Sequence, residues 1–365
     1  MPRLIAIALP TGPRFLHELE LAWQDGDCVF PVDVRLPDQA QKALLAQMRP
    51  SILVDHDGRH NRPDGAAVPD GDALIVATSG TTGTPKGVIL TFDAVEASAA
   101  ATSKALGVGA EDKWLACLPA AHVGGLSVMT RSLLSGTAVE PIASPDPALI
   151  AEAVADGATL VSLVPAVLDR VDASAFRKIL LGGSAIPSDR PDNTIATYGL
   201  TETGSGVVYE GKPLDGVEID IVDDQIHLRG PMLLRGYRDG TSPLSDDGWL
   251  ATGDLGSFDD GVLQVFGRSD DTIVTGGEKV YPTLVEKILV RHDLIADVAV
   301  VGRPHDKWGH AVTAILELRG TEPPELEELR ELVKAELPAC AAPHAVEIVD
   351  AFERTALGKI RRTDL

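Results

Sequence analysis

The sequence predicts an α/β protein with a large N-terminal domain of mostly parallel sheet layers, a small β-rich subdomain, and a small C-terminal α+β domain. Three observations carry this. From about residue 72 to residue 200, short apolar β-rich runs alternate with helical patterns, which is the signature of strands joined by crossover helices. From about residue 217 the texture changes to short strands with close turns. Beyond Arg268 it changes again, to two helices among three apolar strands. The large domain is therefore expected over 1–267, with its β-rich part at about 207–267, and the small domain over 272–365.

Taken in order, Leu74–Ala77 and Val88–Leu90 are expected strands, and so are Thr159–Val164, Lys178–Leu181 and Thr194–Tyr198. Helices are expected near 91–106, 124–135, 147–156 and 165–170. The β-rich part offers Val217–Ile221, Gln225–Leu228 and Val262–Phe266. The last part offers helices Pro282–Arg291 and Pro324–Leu337 with strands Val298–Val301, Ala314–Leu318 and Val346–Val349. The acidic stretch Glu322–Glu331 fits the solvated face of a helix. The apolar patch at the N-terminus is too short, and too soon broken by Pro10, for a good signal peptide.

Composition limits the function classes. A net charge of −22 argues against a nucleic acid or an anionic membrane as partner. No apolar run approaches the ~20 residues needed for a membrane span. Three widely spaced cysteines, Cys28, Cys117 and Cys340, form no CxxC pair, so a disulfide framework or zinc site is not expected and a cytoplasmic home is. Oligomeric state is left open, a homodimer included.

The loop Thr78-Ser79-Gly80-Thr81-Thr82-Gly83-Thr84-Pro85-Lys86-Gly87 lies between two apolar strands. Its three glycines and five hydroxyl side chains let backbone N–H and O–H donors close on a polyanion, with Lys86 as a point charge. It is not the common phosphate loop, whose Gly-Lys-Ser/Thr leads straight into a helix. Pro85 precedes this lysine, Gly87 follows, and the chain returns to a strand. A nucleoside triphosphate is the expected ligand.

Four further motifs follow in order: Tyr198-Gly199-Leu200-Thr201-Glu202, Gly248-Trp249-Leu250-Ala251-Thr252-Gly253-Asp254, Gly267-Arg268-Ser269-Asp270-Asp271 and Gly358-Lys359-Ile360. With the Ser79–Gly87 loop, they make the chain resemble the adenylate-forming superfamily of acyl-CoA synthetases, luciferases and peptide-synthetase adenylation domains, from about residue 70 onward. The resemblance implies ATP, Mg²⁺ and coenzyme A as reactants or cofactors, and a carboxylic acid as substrate. Ser79, Gly80, Thr81, Thr82, Gly83, Thr84 and Lys86 would hold the phosphates. Gly183 and Ser184, with Tyr198, Gly199 and Thr201, would bind the adenine side, the Tyr198 ring being free to stack on a purine. Glu202 offers a hard oxygen suited to Mg²⁺. Asp254 would take the ribose hydroxyls and Arg268 the same sugar. Lys359 would bridge the substrate carboxylate and the α-phosphate region, holding two anions while charge moves to pyrophosphate. Residues 268–271 match the hinge, with Asp270 as pivot of a mobile small domain. Rotation there would exchange Lys359 for Gly276, Gly277 and Lys279, past which a pantetheine arm would run.

The acyl site is expected at Leu118-Pro119-Ala120-Ala121-His122-Val123-Gly124-Gly125-Leu126, which is similar to the o-succinylbenzoate–CoA ligases of menaquinone biosynthesis. That acid carries a second carboxylate, which needs a cation or several donors. Arg131 is a candidate beside His122 and Gly124, although nine residues of helix put it ~13 Å beyond His122. Arg177 and Lys178 are others. The alternatives are a general aryl or acyl-CoA ligase and a stand-alone enzyme that loads a carrier protein. About 70 residues precede the phosphate loop, fewer than full-length relatives carry, so whether they complete a layer stays open.

Overall fold

The computed structural model describes residues 1–365 except 79–84, 185, 188, 355–359, 363 and 364. The chain forms two compact units, Met1–Ile219 with Leu228–Ala251, and Asp220–His227 with Thr252–Leu365.

The first unit holds two seven-stranded sheets. Residues 1–70 supply the heart of one of them. Leu4–Ile7 pairs in parallel with Cys28–Pro31 on one side and Ile52–Asp55 on the other, and Cys28–Pro31 pairs in parallel with Asp72–Thr78. Every residue of Leu4–Ile7 and Cys28–Pro31 is buried, as strands covered on both faces require. The apolar N-terminal patch is thus a core strand. Antiparallel strands close this sheet at both edges, Gly58–Asn61 at one and Lys86–Thr91 followed by Gly236–Tyr237 at the other.

The second sheet carries the expected alternation. Lys113–Ala116, Ala138–Pro141, Leu160–Leu163, Lys178–Leu181 and Thr194–Gly199 run parallel, and Gly206–Tyr209 returns antiparallel. The helices begin and stop where local chemistry says. Thr91 caps Phe92–Leu106 by accepting the Ala94 N–H at 3.1 Å, and Gly107 ends it in the left-handed region. Asp146 caps Pro147–Ala155 in the same way. Leu115, Val161, Ile179 and Leu181 anchor an apolar cluster with Ile150 and Ala153 of the helix Pro147–Ala155.

In the second unit, Leu250–Asp259 and Val262–Arg268 form a hairpin in register from Asp254↔Arg268 to Asp259↔Val262. The C-terminal portion is a five-stranded sheet around the hairpin Ile295–His305 and Gly309–Leu318, the first strand longer at both ends and the second longer at its start than their apolar centres predict. The helices Pro282–Leu289 and Leu326–Lys334 bury Val285, Leu289, Leu329 and Val333 against it. The acidic stretch does face solvent, with Lys334 bonded to Glu331. No helix among the described residues is long and apolar enough to cross a membrane.

Candidate functional site

In the first unit, most expected site residues leave the second sheet at one edge, the carboxyl ends of its parallel strands. His122 follows Lys113–Ala116, Gly183 and Ser184 follow Lys178–Leu181, and Tyr198 to Glu202 end or follow Thr194–Gly199. Lys178–Leu181 and Thr194–Gly199 are neighbours, in register at Leu181↔Ala196, so Gly183-Ser184 and Tyr198-Gly199 emerge side by side. Ligands of open α/β sheets bind at this edge because the strand ends and helix starts face the same crevice.

Thr201–Thr203 forms one 3-10 turn, pinned where Thr203 Oγ1 accepts the Leu200 N–H at 2.9 Å. Glu202 lies in that turn. Its Oε1 accepts a hydrogen bond from the Tyr237 hydroxyl at 3.1 Å. Lys86 opens the strand Lys86–Thr91, in register opposite Thr78, and its ammonium stands 4.7 Å over the Tyr237 ring. Burial, and then the Glu202 carboxylate, push the Tyr237 phenol well above its ordinary range, so it remains a donor. The loop residues Ser79, Gly80, Thr81, Thr82, Gly83 and Thr84 lie outside the described residues.

His122 is the residue before the helix Val123–Ser135, with Gly124 in the first turn. Its Nε2 lies 3.1 Å from Arg35 Nη2, which donates to it, and 3.4 Å from Asp33 Oδ2. Burial alone would raise the Asp33 carboxyl, but hydrogen bonds from Arg35 hold it below its ordinary range. Two turns on, Arg131 is 2% exposed and lies 4.7 Å over the Trp114 ring. Its Nε and Nη1 find no hydrogen-bond partner among the described residues. A cavity with room for about one water reaches it past Ser98, Leu126, Ser127 and Thr130. Arg177, by contrast, is committed to the Asp112 carboxylate at 2.7 and 2.8 Å.

In the second unit, Asp254 and Arg268 face each other across the hairpin, with Arg268 Nη1 donating to Asp254 Oδ1 at 3.1 Å and to the Thr252 carbonyl at 2.9 Å. Thr252 donates to Ile226 O and accepts the Asp254 N–H. Gly253 sits at φ +74, and a Cβ there would stand 2.8 Å from the Arg268 guanidinium, so this position needs glycine. Asp270 is exposed, 4.0 Å from Arg268 Nη2. Gly276 and Gly277 make the left-handed turn between Ile273–Thr275 and Glu278–Val280, where a side chain on Gly276 would strike Trp308. Lys279 donates to Asp224 at 2.9 Å. Lys359 lies outside the described residues.

A model of the family described as AMP-binding enzyme matches residues 56–238, and a model of the AMP-binding enzyme C-terminal domain matches residues 284–359. The chain belongs to the AMP-binding enzyme family. A Mycobacterium tuberculosis relative named probable 2-succinylbenzoate–CoA ligase is 37% identical over 329 residues, 82% of this chain and 85% of its own. A Bacillus cytotoxicus 2-succinylbenzoate–CoA ligase is 34% identical, covering 99% of this chain and 83% of its own. Among solved structures, o-succinylbenzoate CoA synthetase of Bacillus subtilis, in complex with the acyl-adenylate intermediate OSB-AMP, superposes with a TM-score of 0.85 at 26% identity, over 99% of this chain and 87% of that one. ATP-bound MatB of Rhodopseudomonas palustris, at 22% identity and a TM-score of 0.87, shares the fold.

For this member of the AMP-binding family, sequence reasoning passed over Asp33, Arg35, Thr252 and Tyr237. Thr252 stood inside a recognised motif and needed only its hydrogen bonds. Asp33 and Arg35 pair with each other locally, but their contact with His122, like that of Tyr237 with Glu202, joins distant segments and leaves no signal in the sequence.

Proposed function

We propose that this protein joins o-succinylbenzoate to coenzyme A at the expense of ATP. The observation that carries this is the identity, across most of the chain, to ligases named for that acid. In the first half-reaction a carboxylate oxygen attacks the α-phosphorus, the bond to the β-phosphate bridging oxygen breaks, and pyrophosphate leaves with its electron pair. In the second, the coenzyme A sulfur attacks the acyl carbon of the mixed anhydride, and the carbon–oxygen bond breaks to release AMP. The thiol proton passes to solvent.

Lys86 and the Ser79–Thr84 loop would hold the β- and γ-phosphates, and Lys359 would draw the two reacting anions together. Tyr198, Gly199 and Thr201 would line the base pocket with Gly183 and Ser184, while Asp254 and Arg268 take the ribose. Glu202 would hold Mg²⁺, since its Oε2 makes no hydrogen bond among the described residues and hard carboxylate oxygens suit that ion. When bound, Mg²⁺ offsets phosphate charge. His122 and Gly124 would border the acyl group, with Asp270 as the pivot that trades Lys359 for Gly276, Gly277 and Lys279. Arg131, a buried cation with two unsatisfied N–H groups, would answer the second carboxylate through the water-sized cavity beside it. The cytoplasm is the proposed location.

The test is pyrophosphate release from Mg·ATP with o-succinylbenzoate, benzoate or octanoate, each with and without coenzyme A. Turnover with o-succinylbenzoate alone is expected. Equal turnover of the monoacids would favour a general acyl-CoA ligase. Turnover that needs a carrier protein as acceptor would point to a loading enzyme.

A further inference from the structure

The segment Leu234–Arg238 touches both groups assigned to the ATP phosphates and their metal. The Leu234 N–H donates to the Glu202 carbonyl at 2.8 Å, and the Arg238 N–H donates to the Gly87 carbonyl at 2.7 Å. Between them, Gly236–Tyr237 pairs with the Lys86 strand at Ile89 and Val88. The segment is itself anchored. Arg238 donates to the carbonyls of Met48, Ala66 and Ala67 at 2.9–3.2 Å, and Arg235 reaches Asp72 at 2.9 Å. Tyr237 uses this rigid base to present its hydroxyl to Glu202 and its ring face to Lys86.

We propose that Tyr237 is a positioning residue that fixes the Glu202 carboxylate and the Lys86 ammonium relative to one another for binding of metal-complexed ATP. The hydroxyl occupies Oε1 and sets the plane of the carboxylate, so Oε2 is turned to a fixed place. The ring face attracts the ammonium and limits the rotamers of a long, flexible side chain. One side chain thereby couples two groups that lie on different segments and carry opposite charge. Tyr237 touches neither substrate nor reacting atom in this scheme and acts through its two neighbours.

The proposal rests on the ligase reading above, and its test separates the two. Binding of ATP is measured by titration calorimetry, with Mg²⁺ and with EDTA, for the whole wild-type chain, Tyr237→Phe and Tyr237→Leu. Tyr237→Phe keeps the ring and loses the hydrogen bond to a charged group, so Mg·ATP affinity should fall about tenfold. Metal-free ATP affinity should stay within about twofold, because the ring over Lys86 remains. Tyr237→Leu should weaken both. A Tyr237→Phe protein that binds Mg·ATP like wild type, or that loses metal-free binding equally, overturns the positioning role. A wild type that binds no Mg·ATP sinks the ligase reading, and the positioning role with it.

Discussion

The Asp254–Arg268 pair of the second unit and the Glu202–Tyr237–Lys86 group of the first are built in opposite ways. Asp254 and Arg268 are paired by the register of one hairpin, and Thr252 and Gly253, inside the same short motif, satisfy their neighbours. That site is self-contained. The other group is assembled from three segments, a 3-10 turn, a strand start and a short edge strand, held together by main-chain bonds between them. A local motif can be read one residue at a time, while an assembled site shows its members but hides the residue that joins them.

The largest expected effect lies outside both groups. Lys359→Ala should lower adenylation by about a thousandfold, the scale of losing one preorganised charge, and leave thiolation of a preformed acyl-adenylate nearly intact. Equal loss in both half-reactions would contradict a role confined to the first. Next comes Arg131→Met, which replaces a buried guanidinium, stacked on Trp114 and with two nitrogens lacking hydrogen-bond partners among the described residues, by an apolar chain. The KM for o-succinylbenzoate should rise about tenfold while Tm holds or climbs, since a buried charge with unsatisfied N–H groups is costly. A falling Tm with unchanged KM would mark Arg131 as purely structural.

Asp254→Asn tests how local the hairpin site is. The KM for ATP should rise about tenfold, with the KM for the acid unaltered. A comparable change for the acid would show that the Asp254–Arg268 pair is not self-contained. The smallest effect concerns acid stability. Burial alone would raise the Asp112 carboxyl, but hydrogen bonds from Arg177, Gly109 and Thr159 outweigh it and hold the group below its ordinary 3.8. Its stabilisation is therefore present above 3.8 and lost as pH falls through the lower folded value. Asp112→Asn should flatten the loss of Tm on acidification below about pH 5, and an unchanged profile would contradict this linkage.

The contrast also explains what the sequence revealed. Most strands and helices between 72 and 200 were legible because apolar runs alternate with helical spacing and carry caps such as Thr91 and Asp146, whereas the four-residue strands Lys113–Ala116 and Ala138–Pro141 were not. The strands Leu4–Ile7 and Cys28–Pro31 were not, since four apolar residues without periodicity fit a patch as well as a strand until neighbours bury them. Asp254 and Arg268 were legible as motif residues. Tyr237 and Arg35 were not, because they meet Glu202 and His122 across separations of 35 and 87 residues. Arg131 was visible as a cation on a helix, but its burial against Trp114 depends on how that helix packs.

The most direct test of the central claim is rapid-quench mass spectrometry of wild-type protein with Mg·ATP and o-succinylbenzoate. Without coenzyme A, an o-succinylbenzoyl-adenylate should accumulate to about one equivalent per active site, and adding coenzyme A should convert it to the thioester with release of AMP. Absence of the adenylate, or an adenylate that coenzyme A leaves untouched, would contradict the assignment.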